Sequence, residues 1–185
     1  LKAVPATTLV VLDEAYVEYV DDPAYPNGLA LLDHYSNLVV TRTFSKAYGL
    51  AALRLGYAVS HPDVADLMNR IRQPFNVNSM ALAAGLIALE DPGHVAQGVA
   101  VNRQGLQVLN AGLADLSLAV IPSVGNFVCF DLGQDALSIY QALLMQGVIV
   151  RPIGVYGLPQ HLRVSVGTPE ENRVFLDALG RVLTP

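Results

Sequence analysis

The stretch TRTFSKAYGLAALRLGYAVS, residues 41–60, decides how the rest of the chain is read. Two hydroxyls, Thr43 and Ser45, run directly into a single lysine, Lys46, and Arg54 follows eight residues later at the head of an apolar, strand-like run. A lysine amine can bond the aldehyde of a cofactor such as pyridoxal phosphate, while hydroxyls, backbone N–H groups and one arginine hold the phosphate dianion. Arginine suits that task because its planar fork binds phosphate oxygens in pairs and stays charged. These residues alone leave a second reading open. A Ser-Lys pair is short enough to recur by chance, with Lys46 a surface lysine and Arg54 a charge at a strand edge.

The 185 residues carry 11 basic and 16 acidic side chains, a net charge of −5, with 52% hydrophobic and 15% charged residues. A chain of this length buries a sizeable core and fits one or two domains. No apolar run approaches the roughly 18–20 residues of a membrane-spanning helix. The acidic balance argues against a nucleic-acid partner, which favours a basic face. The single cysteine, Cys129, excludes an internal disulfide framework and suits a reducing cytoplasm; within NFVCFDL it reads as a small core residue. The first residues, LKAVPATTLV, lack the basic and apolar regions of a secretory signal. No group of His, Cys and carboxylate residues has metal-ligand spacing, so no metal is expected.

Upstream, TLVVL (residues 8–12) is a continuous apolar run, as befits a central parallel strand covered by helices on each side. Ligands of such sheets collect at the carboxyl ends of the strands, which puts Asp13 where a cofactor sits. A carboxylate there keeps a pyridine nitrogen protonated, and Tyr16 is placed to donate to the ring's phenolic oxygen. A turn or helix-cap role for Asp13 fits equally well. Glu14 and Glu18 read as solvated neighbours. Residues 20–37 are rich in turn formers, with Pro23, Pro26 and Asn27-Gly28, and include a short helical stretch. The strand LVVT (38–41) then delivers Thr43, Ser45 and Lys46, and RLGYAVS (54–60) reads as the next strand, so a tight connection brings Lys46 and Arg54 together.

Downstream, His61-Pro62-Asp63 starts a helix with proline at its first position, and Val64, Leu67, Met68 and Ile71 form its core-facing stripe. NVNSMALAAGLIALED reads as a small-residue-rich helix ending near Asp91-Pro92-Gly93. There the organisation changes, giving one domain over residues 1–92 and a second over 93–185. The second opens with a long helix from His94 to about Leu113, with Asn102 in its apolar stripe. LAVIPS, NFVCFDL, a helix over ALSIYQALLMQG and the strands VIVR and LRVSV follow, then a last helix begun by the capping box Thr168-Pro169-Glu170-Glu171. Alternation in LRVSV turns Leu162, Val164 and Val166 inward and Arg163 away from the core. Arg151 closes VIVR just before the loop IGVYGLP, and either arginine taken singly reads as a solvent charge. His161 reads as an exposed loop residue. Strands alternating with helices make the chain α/β, the smaller domain covered on one side.

Four stretches in order, LVVLDEAYVEY (9–19), residues 41–60, RQPFNVNSMALAAGLIALED (72–91) and GVIVRPIGVYGLPQHLRVSVGTPEENRVFLDAL (147–179), resemble the second half of the fold-type I pyridoxal-phosphate-dependent aminotransferases, most closely those acting on histidinol phosphate. The resemblance implies that residues 1–92 are the C-terminal part of a cofactor-binding large domain, a mostly parallel sheet with helices on both faces. Residues 93–185 would then be the small C-terminal α/β domain. It implies pyridoxal 5'-phosphate as cofactor, Lys46 as the residue that bonds it and moves the proton, Asp13 and Tyr16 at its ring, and Thr43, Ser45 and Arg54 at its phosphate. Arg151 and Arg163 would hold the anionic ends of the substrates, histidinol phosphate and glutamate or 2-oxoglutarate, with Asn126 helping to hold the cleft. The implied parent is a cytoplasmic homodimer of histidine biosynthesis that binds neither nucleic acid nor membrane. An aromatic amino-acid aminotransferase or a threonine-phosphate decarboxylase is the alternative on the same fold; a non-catalytic remnant that binds a partner or an anion is the alternative outside enzymes. The family carries further cofactor contacts upstream of the matched region, and the chain starts abruptly, as if cut. Alone, it is expected to be incomplete or inactive.

Overall fold

The structure, a computed structural model, describes residues 1–184. Their packing divides into two compact units, Leu1–Gly98 and the residues from Val99 onward. In the first, β1 (Val10–Asp13), β2 (Leu38–Thr43) and β3 (Gly56–Ser60) form a sheet in the order β1-β2-β3. β1 and β2 run parallel with Asp13 level with Thr41, and β3 returns antiparallel with Gly56 level with Thr43. Parallel neighbours need a long crossover. Here it contains a 3-10 turn (Val17–Tyr19) and the four-residue α1 (Gly28–Leu31), whose N-cap Asn27 accepts from the Leu29 N–H.

β2 is the middle strand, so Leu38, Val39 and Val40 are buried. β1 lies at the sheet edge with Val11 59% exposed; the cover expected on both its faces is not supplied by this unit. α2 (Pro62–Ile71) starts at its proline, with the His61 ring accepting from the Asp63 N–H. Its expected core stripe is a correction: Leu67 and Ile71 are exposed and no residue of the helix is buried. α3 (Ser79–Glu90) buries only Ala81 and Gly85, leaving Met80, Leu82, Leu86 and Ile87 in water. A helix apolar on all sides is ordinarily a buried one. α3 packs where Gly85 allows it, since a Cβ there would lie 2.5 Å from Leu55 Cδ2, and Phe44, Leu55 and Ala81 form the small core beneath.

The division between units falls inside α4 (Pro92–Asp115). In the second unit β4 (Ala119–Ile121), β5 (Phe127–Asp131), β6 (Arg151–Pro152) and β7 (His161–Ser165) make an antiparallel sheet in the order β4-β5-β7-β6. Of VIVR, only Arg151 joins it. α5 (Ala136–Met145) and α6 (Pro169–Leu183) pack with Leu109 and Leu113 of α4 against Val128, Phe130, Leu162 and Val164. Alternation along β5 leaves Cys129 half-buried outside that cluster, a correction to its reading as a core residue; burial pushes its thiol up and Arg163 draws it down. Asn102 is buried as the stripe predicts; its Nδ2 donates to the Gly125 carbonyl at 3.1 Å, while its Oδ1 is buried without a hydrogen-bond partner. Thr168 and Glu171 form the capping box of α6. No helix among the described residues is long and apolar enough to cross a membrane.

Leu113 is fully buried in the larger core. Leu113→Ala should cost about 3 kcal/mol, from lost transfer energy and the cavity left behind. Urea unfolding followed by circular dichroism measures it; a loss under about 1 kcal/mol would mean that the site collapses around the smaller side chain.

Candidate functional site

Where β1 and β2 end side by side, the chain encloses an open cleft of about 490 Å³, lined among others by Asp13, Thr41, Thr43, Ser45, Lys46 and Arg54. Thr43 is the last residue of β2, and its hydroxyl accepts from the Ser45 N–H at 3.0 Å while donating to the Leu55 carbonyl at 3.4 Å. That pair of bonds turns the chain sharply. Gly49, at φ 71°, donates to the Lys46 carbonyl, and Leu50 donates to Phe44, so Lys46 sits on a closed loop between buried Phe44 and Ala47. Its Nζ lies 5.2 Å from the centre of the Tyr16 ring, a cation–π contact.

Arg54 follows the 3-10 turn Ala51–Leu53 in the left-handed conformation, φ 56° and ψ 46°. For a residue with a Cβ that geometry costs about 1–2 kcal/mol, and it persists only where its surroundings determine it. It brings the guanidinium back over the loop: Nη1 donates to the Ala51 carbonyl at 2.7 Å and to Ser45 Oγ at 3.4 Å. Asp13 closes the opposite side, its Oδ1 accepting from the Ala15 N–H at 3.1 Å and from Thr41 Oγ1 at 3.4 Å. Asp13, Thr43, Ser45, Lys46 and Arg54 thus line one cleft, with Tyr16 against the lysine.

Two acidic residues differ from their reading as solvated neighbours. Glu14 is 1% exposed, its Oε2 accepting from Arg42 Nε at 3.0 Å and Nη2 at 2.7 Å, its Oε1 from the Gly28 N–H at 3.0 Å. The signal was present in Thr41-Arg42-Thr43: an arginine in the middle of an apolar strand needs a counter-charge, and the neighbouring strand ends in Asp-Glu. Glu18 Oε2 is buried without a hydrogen-bond partner. Burial pushes the Glu18 carboxyl above the usual range, its backbone bond and Arg42 draw it down, and Glu14 adds a further push upward.

In the second unit, Arg151 and Arg163 stand level on adjacent antiparallel strands, with Cys129 level with Arg163 on its other side. Like charges directly opposite each other are unfavourable, and neither arginine has an acidic partner among the described residues. The Arg163 guanidinium lies 5.1 Å over the Phe127 ring, and Arg151 Nη2 donates to Tyr156 Oη at 3.5 Å. Asn126 precedes β5, its carbonyl accepting from the Val166 N–H at 2.9 Å. His161 is a correction: it lies in β7 with its ring largely buried, 3.9 Å from Asp131 Oδ1.

The family profile of aminotransferase class I and II matches residues 2–179. The chain is 58% identical over 183 residues to histidinol-phosphate aminotransferase 2 of Pseudomonas fluorescens, covering 99% of this chain and 50% of that protein. It is 55% identical over its whole length to histidinol-phosphate aminotransferase 2 of Methylococcus capsulatus, again 50% of the relative. Among solved structures, it matches histidinol-phosphate aminotransferase of Sinorhizobium meliloti in complex with pyridoxal-5'-phosphate at a TM-score of 0.91 and 36% identity, over 98% of this chain and 50% of that one. The chain spans about half the length of the curated relatives it matches.

Two outcomes follow from the strained arginine and the buried carboxyl. Arg54→Gly should melt at or above the unaltered chain and Arg54→Ala below it, because only glycine takes φ 56° freely, as thermal melting followed by circular dichroism would show. A folding group whose carboxyl is raised loses stability when it is charged, so Glu18→Gln should raise the melting temperature at pH 7, with the gain shrinking toward about pH 4. An equal gain at both pH values would show that its burial does not matter.

Proposed function

This chain belongs to the aminotransferase class I and II family, and on that premise we propose that it is the lysine-bearing portion of a pyridoxal-phosphate-dependent enzyme that transfers the amino group between histidinol phosphate and 2-oxoglutarate. The observation that carries the reading is the convergence of Lys46, Thr43, Ser45, Arg54 and Asp13 on one cleft. That donor set fits the cofactor part by part: an amine for its aldehyde, two hydroxyls and a guanidinium for its phosphate, and a carboxylate for its ring nitrogen. When bound, pyridoxal phosphate supplies an electron sink for charge developing at the substrate α-carbon.

The residues of this chain do the rest. Thr43, Ser45 and Arg54 would hold the anionic end of the cofactor, Asp13 would hold the proton of its ring nitrogen, and Lys46 Nζ would hold its aldehyde end. The Lys46 amine is the base that takes the substrate α-proton and the acid that returns it. Tyr16 borders Nζ and orients it, while Arg151 and Arg163 present paired forks to the phosphate or carboxylate end of each substrate, with Asn126 bordering β5 beside them. An anion shared between the two arginines relieves the repulsion their register imposes. Identity of 55–58% to histidinol-phosphate aminotransferases favours that substrate over threonine phosphate, since the solved L-threonine-O-3-phosphate decarboxylase of Porphyromonas gingivalis shares 25%. The enzyme works as a cytoplasmic homodimer.

Added pyridoxal phosphate should give the chain a visible absorbance band that survives dialysis and is lost in Lys46→Ala, and the enzyme carrying Lys46→Ala should lose turnover. Normal turnover there would defeat the assignment. Arg163→Ala should raise the KM for histidinol phosphate and for 2-oxoglutarate together, by about 10–100-fold for loss of charge-assisted hydrogen bonds. An effect confined to kcat would remove Arg163 from substrate binding.

A further inference from the structure

Glu14 does not line the cleft, yet it is the one charged side chain among the described residues that is fully buried. Three segments share its atoms: its carboxylate takes two N–H groups of Arg42 on β2 and one of Gly28 at the start of α1, and its own N–H donates to the Thr41 carbonyl. A Cβ at Gly28 would collide with that carboxylate, so the crossover is built around it. The pair borders the cleft directly: Asp13 precedes Glu14, and Arg42 lines the cleft between Thr41 and Thr43.

Asp13 itself is poorly held. It is exposed, and its bonds are one short-range contact to Ala15 and a long one to Thr41 Oγ1. Taking the cleft as the cofactor site proposed above, we infer that the Glu14–Arg42 pair is a positioning clamp: it locks the end of β1 against β2 and thereby fixes where Asp13 meets the bound ring. Stability alone is a weak reason for such a pair, because replacing a buried ion pair with neutral, well-packed residues is often harmless to stability. What the fork supplies is one permitted arrangement of β1 against β2 at the edge of the cleft.

The test compares Glu14→Gln with the double variant Glu14→Gln/Arg42→Met by thermal melting, amide hydrogen exchange without cofactor, and absorbance titration with pyridoxal phosphate. Glu14→Gln alone leaves a partly buried guanidinium without its counter-charge and should melt below the unaltered chain. The double variant buries no unpaired charge, keeps an acceptor for Gly28 and should melt close to it. Even so, its Ala15 N–H should exchange about tenfold faster while the amides of the β2–β3 ladder keep their protection. Its affinity for pyridoxal phosphate should fall about tenfold, with no further loss on top of Asp13→Asn but an added loss on top of Arg54→Ala. Recovery of both melting and Ala15 protection in the double variant would reduce the pair to a structural role and overturn the inference, as would losses that add to those of Asp13→Asn. If the unaltered chain alone fails to bind pyridoxal phosphate, the titration is made in the enzyme that carries the upstream half, where failure to bind removes the cofactor reading, and Ala15 exchange still decides the clamp.

Discussion

The parallel pairing of β1 with β2 is the constraint on which the cofactor cleft depends. It sets Asp13 level with Thr41 across 28 residues of chain, so that a carboxylate and a run of hydroxyls leave the sheet at the same end. Parallel register also allows the next residues, Glu14 and Arg42, to meet as an ion pair. The antiparallel return of β3 then brings Leu55 and Gly56 beside Thr43, and with them Arg54. At Gly56 a Cβ would lie 2.9 Å from the Arg42 carbonyl, so the close approach of β3 to the site is available to glycine there.

The chemistry gathers where the backbone is least relaxed. Arg54, which lines the cleft, holds a left-handed conformation and donates from Nη1 to Ala51 and Ser45. The energy of about 1–2 kcal/mol stored in such a residue is offset by the loop around it, closed through Thr43, Gly49 and Leu50. An arginine held in place before an anion arrives loses less freedom on binding it. The second unit shows the same logic electrostatically, since the Arg151 and Arg163 charges are set level with each other without a carboxylate between them.

The cleft residues were legible because a hydroxyl-rich turn running into a lysine sits within stretches that resemble a known family, while the residues alone left a surface lysine open; Lys46 and Arg54 stand eight residues apart, and one tight connection suffices to join them. The starts of α2 and α6 were legible for a similar reason, as proline and the capping box act within one turn. Long-range partners were hidden. An arginine in an apolar strand signals a counter-charge for Arg42, but nothing near Glu14 announces that Gly28 will close on it, and the apolar stripe of α2 gives no sign that Leu67 and Ile71 end in water. Cys129 and His161 were misjudged for want of sheet register, which decides the face of one and the burial of the other.

Burial is distributed unequally between the two units, and this bears on how the cleft behaves. The second unit has a core spanning Leu109, Phe130, Leu143, Leu162 and Leu179, with helices and sheet alike contributing. The unit that holds Lys46 relies on β2 and on the small cluster of Phe44, Leu55 and Ala81, while α3 and Phe75, itself at φ 57° and 96% exposed, leave apolar surface in water. A unit of that kind gains more, relative to its own stability, from any ligand that bridges its segments, because binding to the folded state alone adds free energy in proportion to the logarithm of ligand saturation. On the proposed reading, an anion held by Arg54, Ser45 and Thr43 would join the end of β2 to the turn before β3, and a ligand reaching Asp13 would join both to β1. Ligand binding at this cleft would then add stability to this unit through the same residues proposed to carry the chemistry.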